Sequence, residues 1–306
     1  MKPQPQKSNR GRRARIFLTT YPLLIIAALL YLGPFLWMVG TSLKTPGEAT
    51  GDPPAIAAGE LAQRGVPDDA GWMKTRAGIA RYNYWDRVLA DPGVDFVLCA
   101  RNTVIIAGMT VIGSLLSSSL VAYSLAKLRW RGRGLALGLV LGTMMLPFVV
   151  VMVPQYDIFR RLHWIGTSLP LWGPSFFGVP FYIFLLRQFM LAIPDELLDA
   201  ARIDGCSEWR IFWQLVLPLS KPALAVVAVF SFMAAWNDFL APLVYLFHKQ
   251  HFTLALSLQF FQSKSGGTSW ELLMAASVLI LLPVLALFFL AQKTFVQGIA
   301  TTGLKG

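Results

Sequence analysis

Six stretches of this chain, at 16–39, 96–125, 135–153, 169–189, 223–247 and 272–291, are apolar for long enough to cross a bilayer as helices. A helix rising about 1.5 Å per residue needs roughly 20 such residues to span a hydrocarbon core about 30 Å thick. Water is a poor solvent for the whole. Of 306 residues, 55% are hydrophobic and 14% charged, too little polar side chain to cover a soluble globule. The sequence predicts an all-α integral membrane protein with six transmembrane helices. The fourth stretch carries Gly173, Pro174, Gly178 and Pro180, which predict a kink and freed backbone groups.

The connections set the orientation, because Lys and Arg in short loops resist translocation. The tail 1–15 holds Lys2, Lys7, Arg10, Arg12, Arg13 and Arg15 without an acid. The link between spans two and three holds Lys127, Arg129, Arg131 and Arg133, again without an acid. Parity puts both on one side, so the N-terminus, the segment 191–221 and the C-terminal tail 292–306 are expected in the cytoplasm. The segment 40–95 mixes six basic residues with eight acids and reads as an extracytoplasmic loop. The first span is too long for a signal-peptide core and is followed by no small-residue cleavage site, so it reads as a retained anchor.

The net charge of +11 is gathered at the ends of the apolar spans and not on a solvated domain, which argues against nucleic acid as a partner. Cys99 and Cys206 fall at opposite faces of the bilayer by this topology, roughly 30 Å apart and beyond disulfide reach. No metal or nucleophile constellation is formed by His163, His248 and His251. The phosphate-cradling pattern Gly-x-x-x-x-Gly-Lys-Ser/Thr is missing, so energy from ATP would have to come from another subunit.

The segment 191–221 is a charged interruption between spans four and five. Pro194 suits a helix start, and Asp195 and Glu196 complement the positive end of the dipole. Leu197, Leu198 and Ala201 are expected on one face, Gly205 as a left-handed C-cap, and Ser207 as the cap of a second short helix through Trp209, Phe212 and Trp213 that stops at Pro218. Two helices meeting at a glycine form a knuckle. Small side chains at Ala200 and Ala201 permit close approach of a partner surface, with Asp199 and Asp204 as charges for register. A helix that merely rests on lipid headgroups is the competing reading.

The run Asp199-Ala200-Ala201-Arg202-Ile203-Asp204-Gly205, nine further residues, then Leu215-Val216-Leu217-Pro218 resembles the EAA loop of ABC importer permeases. It departs from that pattern by Asp for Glu at 199 and Leu for Ile at 215. Trp236-Asn237-Asp238-Phe239, the stretch 253–258 and the ending Phe295-Val296-Gln297-Gly298 through Gly303-Leu304-Lys305-Gly306 are similar to the second permease of carbohydrate importers of the maltose and trehalose type. The resemblance covers nearly the whole chain except about 52–81, which looks like an insertion. It implies a type I importer (MetI-like) transmembrane fold over 96–291. It implies as partners a second related permease, two ATPase subunits holding ATP and Mg, and an extracytoplasmic solute-binding protein, in a bacterial or archaeal cytoplasmic membrane; no cofactor is implied for this chain. The coupling residues would be Asp199, Ala200, Ala201, Asp204, Gly205, Leu217 and Pro218. The tail residues Gln297, Gly298 and Lys305 would reach the ATPases, unless the terminus is simply frayed.

Asn237 and Asp238 lie about 22 to 24 Å along the fifth helix from Pro222. Polar groups at such depth usually face a bundle interior or a wet cavity. Trp236 supplies an aromatic face and Asn237 an amide, the two chemistries that bind sugar rings and hydroxyls. A substrate pathway through Trp236, Asn237 and Asp238 is one reading. An aromatic-belt tryptophan and an aspartate paired with a neighbouring helix is the other. Ser114, Ser117, Ser118 and Ser119 read as packing and hydrogen-bonding residues of span two. The rival to an ATP-driven permease, for a sugar or for glycerol phosphate, is an ion-driven secondary carrier. Such carriers are often built from inverted repeats, and none is evident between the halves.

Overall fold

The computed structural model describes the backbone of residues 10–45, 48–49, 79–90, 95–262 and 268–302, and their side chains except at 10–16, 18, 19, 82 and 293–302. Most of the outer loop expected at 40–95, including the apparent insertion at 52–81, lies outside the described residues. Every regular element among the described residues is helical. The chain forms two compact units, Met1–Val88 with Phe261–Leu279, and Leu89–Phe260 with Ile280–Gly306.

In the first unit, helix α1 (Arg10–Ser42) starts within the expected basic tail and runs through the first span. Its apolar stretch Thr20–Ser42 has a mean hydropathy of 2.2, and only Thr41 and Ser42 at its end are buried. A helix that is apolar on every side needs lipid around it. Pro22 and Pro34 are accommodated inside it. The last carbonyls of such a helix have no intrahelical partner. Here the buried Asn83 amide donates to the carbonyls of Ser42 and Lys44 at 2.8 and 2.9 Å, and the hydroxyls of Ser42 and Tyr84 are 2.6 Å apart. Asn83 and Tyr84 belong to α2 (Arg81–Leu89), a π-helical segment of the outer loop.

In the second unit, α3 (Phe96–Lys127) is the organising rod. Asp95 caps it by accepting from the Leu98 amide at 2.8 Å. Its buried stripe is rich in small residues, including Gly113, Ser114, Ser118, Ala122 and Ala126, which allow neighbouring backbones to come close. The fourth span is interrupted as its glycines and prolines foretold. It consists of α6 (Leu169–Trp172), a 3-10 turn (Gly173–Phe177) and α7 (Pro180–Leu191), with Gly178 at φ +94° between them. The serines of α3 serve that interruption. Ser117 Oγ donates to the Ser175 carbonyl at 2.7 Å, and Ser118 Oγ accepts from the Val179 amide at 3.2 Å.

Two expected spans are not single rods. The third divides into α4 (Arg133–Met144) and α5 (Phe148–Arg161), bent by 104° at residues 145–147. Pro147 has no N–H to continue α4 and disfavours helical geometry at Leu146, so it begins a new helix instead. The fifth divides into α10 (Lys221–Trp236) and α11 (Leu240–Tyr245), separated at Asn237, Asp238 and Phe239. Helix α8 (Asp195–Ile203) and the helical run α9 (Glu208–Leu219) precede α10, and α9 meets it at 78°. Helix α12 (Leu254–Gln262) and the long α13 (Trp270–Thr302) complete the chain; α13 contains the sixth span and continues through much of the expected tail. Among the described residues four helical stretches are long and apolar enough to cross a membrane, the interrupted 169–191 included, or up to six if each bent pair, α4 with α5 and α9 with α10, is one span.

Of the two glycines of α3, Gly113 is the one a neighbour closely approaches. A Cβ there would stand 2.5 Å from Phe176 Cδ2 and collide with Ser175 Oγ, whereas a Cβ at Gly108 meets nothing within 4 Å. Gly113→Val is expected to destabilise the protein by about 1–3 kcal/mol through overpacking. Gly108→Ala should be neutral or stabilising by up to about 1 kcal/mol from helix propensity. Thermal unfolding of both variants in detergent, followed by circular dichroism, checks the contrast; equal midpoints would refute it.

Candidate functional site

The charged interruption between the fourth and fifth spans folds as a two-armed elbow. Pro194, at φ −58° and ψ 134°, turns the chain out of α7, and Asp195 and Glu196 occupy the first turn of α8. The first arm ends in a Schellman motif. The Gly205 amide donates to the Arg202 carbonyl and the Cys206 amide to the Ala201 carbonyl, both at 3.0 Å, with Gly205 at φ +78°. Ser207 Oγ then accepts from the Arg210 amide at 3.4 Å, opening α9.

The second arm does not stop at Pro218 as expected. Pro218 cannot donate to the Gln214 carbonyl, and its ring crowds that group. The helix loosens over Phe212–Val216 into π-winding, where the Leu217 amide reaches the Phe212 carbonyl five residues back, and it ends at Ser220.

The elbow has an inner and an outer face. Leu198, Ile211, Phe212 and Val216 are buried in one apolar cluster with Ala122, Tyr123 and Ala126 of α3 and Leu186 and Met190 of α7. Leu198 and Ala201 pack inward, but Leu197 does not join them and is 46% exposed. Leu197, Ala200 and Ile203 instead recur every third residue on the outer side, with Ile203 86% exposed. This spacing was available in the sequence, yet Leu197 reads there as a core residue because it neighbours Leu198.

A chain of polar contacts links the arms. Arg202 bonds Asp199 at 2.7 Å and Glu208 at 2.8 Å, across Gly205. Glu208 also accepts the Tyr123 hydroxyl at 2.6 Å, and Lys127 bonds Asp195 at 2.6 Å. Lys127, Asp195, Asp199, Arg202 and Glu208 line an open cleft of about 710 Å³ shared with Ser124, Leu128, Arg129 and Trp130. Of the sequence-derived coupling residues, Asp199, Ala200, Asp204 and Gly205 are exposed at the elbow, Ala201 is half-buried, and Leu217 and Pro218 shape the second arm.

The pathway candidates are brought together at the break in span five. Trp236 is 2% exposed, stacks on Phe232 at 5.1 Å and donates its indole N–H to the Ile280 carbonyl at 3.2 Å. Asn237 is exposed and donates its amide to the Met233 carbonyl at 2.8 Å, and Asp238 Oδ1 accepts from the Ala241 amide at 3.1 Å. Gln297 and Gly298 fall within α13 but their side chains, and Lys305 altogether, lie outside the described residues. Among the described residues no group of three or more His, Cys, Asp or Glu could hold a metal ion.

Charge pairing sets the titration of the elbow. The Arg202 guanidinium holds the Glu208 carboxyl below its ordinary range, against partial desolvation and with help from the Tyr123 hydroxyl. The Lys127 ammonium does the same for Asp195. A carboxylate whose pKa is lowered on folding contributes stability above its unfolded pKa, and loses it as pH falls through the folded value. The Arg202 bridges are partly exposed, each worth about 0.2–1 kcal/mol. Amide hydrogen exchange over 195–208, corrected for intrinsic rates, should therefore accelerate only below the ordinary carboxylate range, and less so in Glu208→Gln. Loosening already at neutral pH would contradict this account.

Residues 110–301 match the family described as binding-protein-dependent transport system inner membrane component. The arabinooligosaccharides transport system permease protein AraQ of Halalkalibacterium halodurans is 38% identical over 205 residues, 67% of this chain and 73% of that protein. The trehalose/maltose transport system permease protein MalG of Thermococcus litoralis is 29% identical over 283 residues, 92% and 94% of the two chains. The sn-glycerol-3-phosphate transport system permease protein UgpE of Yersinia enterocolitica is 34% identical over 220 residues, 70% and 76%. In fold the chain is similar to one from the crystal structure of a bacterial ABC transporter involved in the import of the acidic polysaccharide alginate. The TM-score is 0.73 at 23% identity, over 95% of this chain and 99% of that one. An all-helical fold with four to six candidate spans, a charged elbow at 195–219, and a family match over most of the chain lead to one assignment: the chain belongs to the inner membrane components of binding-protein-dependent transport systems.

Proposed function

We propose that this chain is one of two related permease subunits of an ATP-driven importer. It carries a sugar or oligosaccharide that an extracytoplasmic binding protein delivers. ATP and Mg are held by two ATPase subunits on the cytoplasmic side, and the elbow seats in them. The observation that carries this reading is the outward stripe of Leu197, Ala200 and Ile203 beside Gly205. An isoleucine 86% exposed on a charged segment outside the apolar spans has no core of this chain to cover it, which supports a protein partner. The basic tail and the basic link after span two support a cytoplasmic side for that partner, for both termini and for Gln297, Gly298 and Lys305.

The break in span five supports a hydroxyl-rich cargo over a phosphate. Asn237 spends one of its two N–H donors on Met233, which leaves the other and its carbonyl oxygen, and Asp238 adds a carboxylate. Acceptors of this kind suit sugar hydroxyls, and the carboxylate repels a phosphate. Trp236 shapes the wall behind them.

Two measurements test the reading. In proteoliposomes holding this chain with its partner permease, ATPases and binding protein, uptake of labelled arabino-oligosaccharide or maltodextrin should require internal ATP and exceed that of glycerol 3-phosphate. Uptake by this chain alone along an ion gradient would overturn it. For the elbow, an impermeant maleimide should label Ile203→Cys in inside-out vesicles, and added ATPase subunits should protect it. Gly205→Val, which forces a β-branched residue into left-handed geometry at about 1–2 kcal/mol, should weaken that protection about ten-fold. Labelling from the outer face would sink both orientation and docking.

A further inference from the structure

Helix α3 holds the elbow by two side chains one turn apart, and each grips a different arm. Tyr123, buried, donates its hydroxyl to Glu208 Oε2 at 2.6 Å, at the first residue of the second arm. Lys127, with its side chain 3% exposed, donates to the Ile193 carbonyl and to Asp195 Oδ1 at 2.6 Å each, at the start of the first arm. One latch therefore lies on each side of Gly205. Arg202 ties Asp199 to Glu208 across the same glycine, so the two arms move as one piece.

The remaining contact between α3 and the elbow is apolar, with Phe212 and Leu198 in a cluster with Ala122 and Ala126. Apolar burial is non-directional and by itself fixes no distance or angle between two particular atoms. Short charge-assisted hydrogen bonds fix distance and angle. A lysine ammonium taken out of water is costly unless its donors are met, and packing alone would be served as well by a methionine here. The cost is offset only where the position of the charge matters.

We propose that Tyr123 and Lys127 are positioning residues through which a displacement of the elbow is delivered to span two. The proposal rests on the coupling role assigned to the elbow above. A push on the outer stripe then moves α3 with the elbow, and through the Ser117 and Ser118 hydrogen bonds it moves the interrupted fourth span, in place of flexing the short connection at 192–194.

The test is hydrogen exchange by mass spectrometry on the assembled transporter in nanodiscs, with and without ATP and Mg, comparing the elbow (195–218) with span two (96–127). Wild type should respond in both segments. In Lys127→Met and in Tyr123→Phe the elbow should still respond to within about two-fold, while the response of span two falls about ten-fold, the scale set by losing one charge-assisted hydrogen bond. Tyr123→Phe removes a single hydroxyl and keeps the ring in the core, so it carries the test if Lys127→Met does not assemble. An unchanged span-two response in either assembled variant overturns the proposal. So does a loss in both segments, which would mean that the two residues only shape the docking surface. A wild type in which the elbow itself ignores ATP overturns the coupling reading instead, and the two failures are thus distinguishable.

Discussion

A peptide group in hydrocarbon has no water to bond, so each interruption of a membrane helix must find its donors and acceptors within the protein. This requirement orders the helical unit around α3. The glycines and prolines of the fourth span free backbone groups near Ser175 and Val179, and Ser117 and Ser118 take them up. The same stretch of α3 carries Gly113, where no side chain fits against Phe176. Close approach and hydrogen bonding therefore depend on each other: the serines reach only because the glycine lets the backbones approach, and the approach is tolerable only because the serines pair what it exposes. The fifth span solves its break locally, with Asn237 bonded to Met233 and Asp238 to Ala241.

The elbow applies a different rule to charge. Asp195, Asp199, Arg202 and Glu208 are paired with one another or with α3, and Lys127 is both the most deeply placed partner and doubly bonded. Arg202 bridges a residue before the glycine to one after it, so a turn that only Gly205 can make comfortably is also braced by an ion pair. Bracing and conformational freedom at one site are compatible because they act on different coordinates. The positive φ sets the angle between the arms, and Arg202 limits how far they splay.

Much of this was legible in the chain. The kinked fourth span, the glycine C-cap and the serine cap follow from local chemistry, and the structure has each of them. The bend at Pro147 and the break at Asn237 were not anticipated, because hydropathy counts apolar residues and is blind to a proline or an Asn-Asp pair set among them. The outward position of Leu197 was missed for a related reason: neighbouring leucines on a helix point about 100° apart, and here the core takes Leu198 and Ala201 while Leu197 turns outward. Neither latch was foreseeable. Tyr123 and Glu208 are 85 residues apart and Lys127 and Asp195 are 68 apart, and no local pattern links them.

The contrast between α1 and α3 shows what lipid and protein each ask of a helix. Both are long and apolar, with mean hydropathies of 2.2 and 2.0, yet none of the apolar window of α1 is buried while a third of that of α3 is. Hydropathy alone does not separate them; small residues do. Helix α1 presents leucine, isoleucine, tyrosine and phenylalanine on all sides, which suits lipid tails as well as any partner. Helix α3 places glycine, alanine and serine along one stripe, which would leave only shallow contact with lipid and gains by packing against backbone. In a membrane the apolar effect cannot draw helices together, so the element that organises the bundle is the one whose side chains are smallest, and it is the same element to which the elbow is bonded.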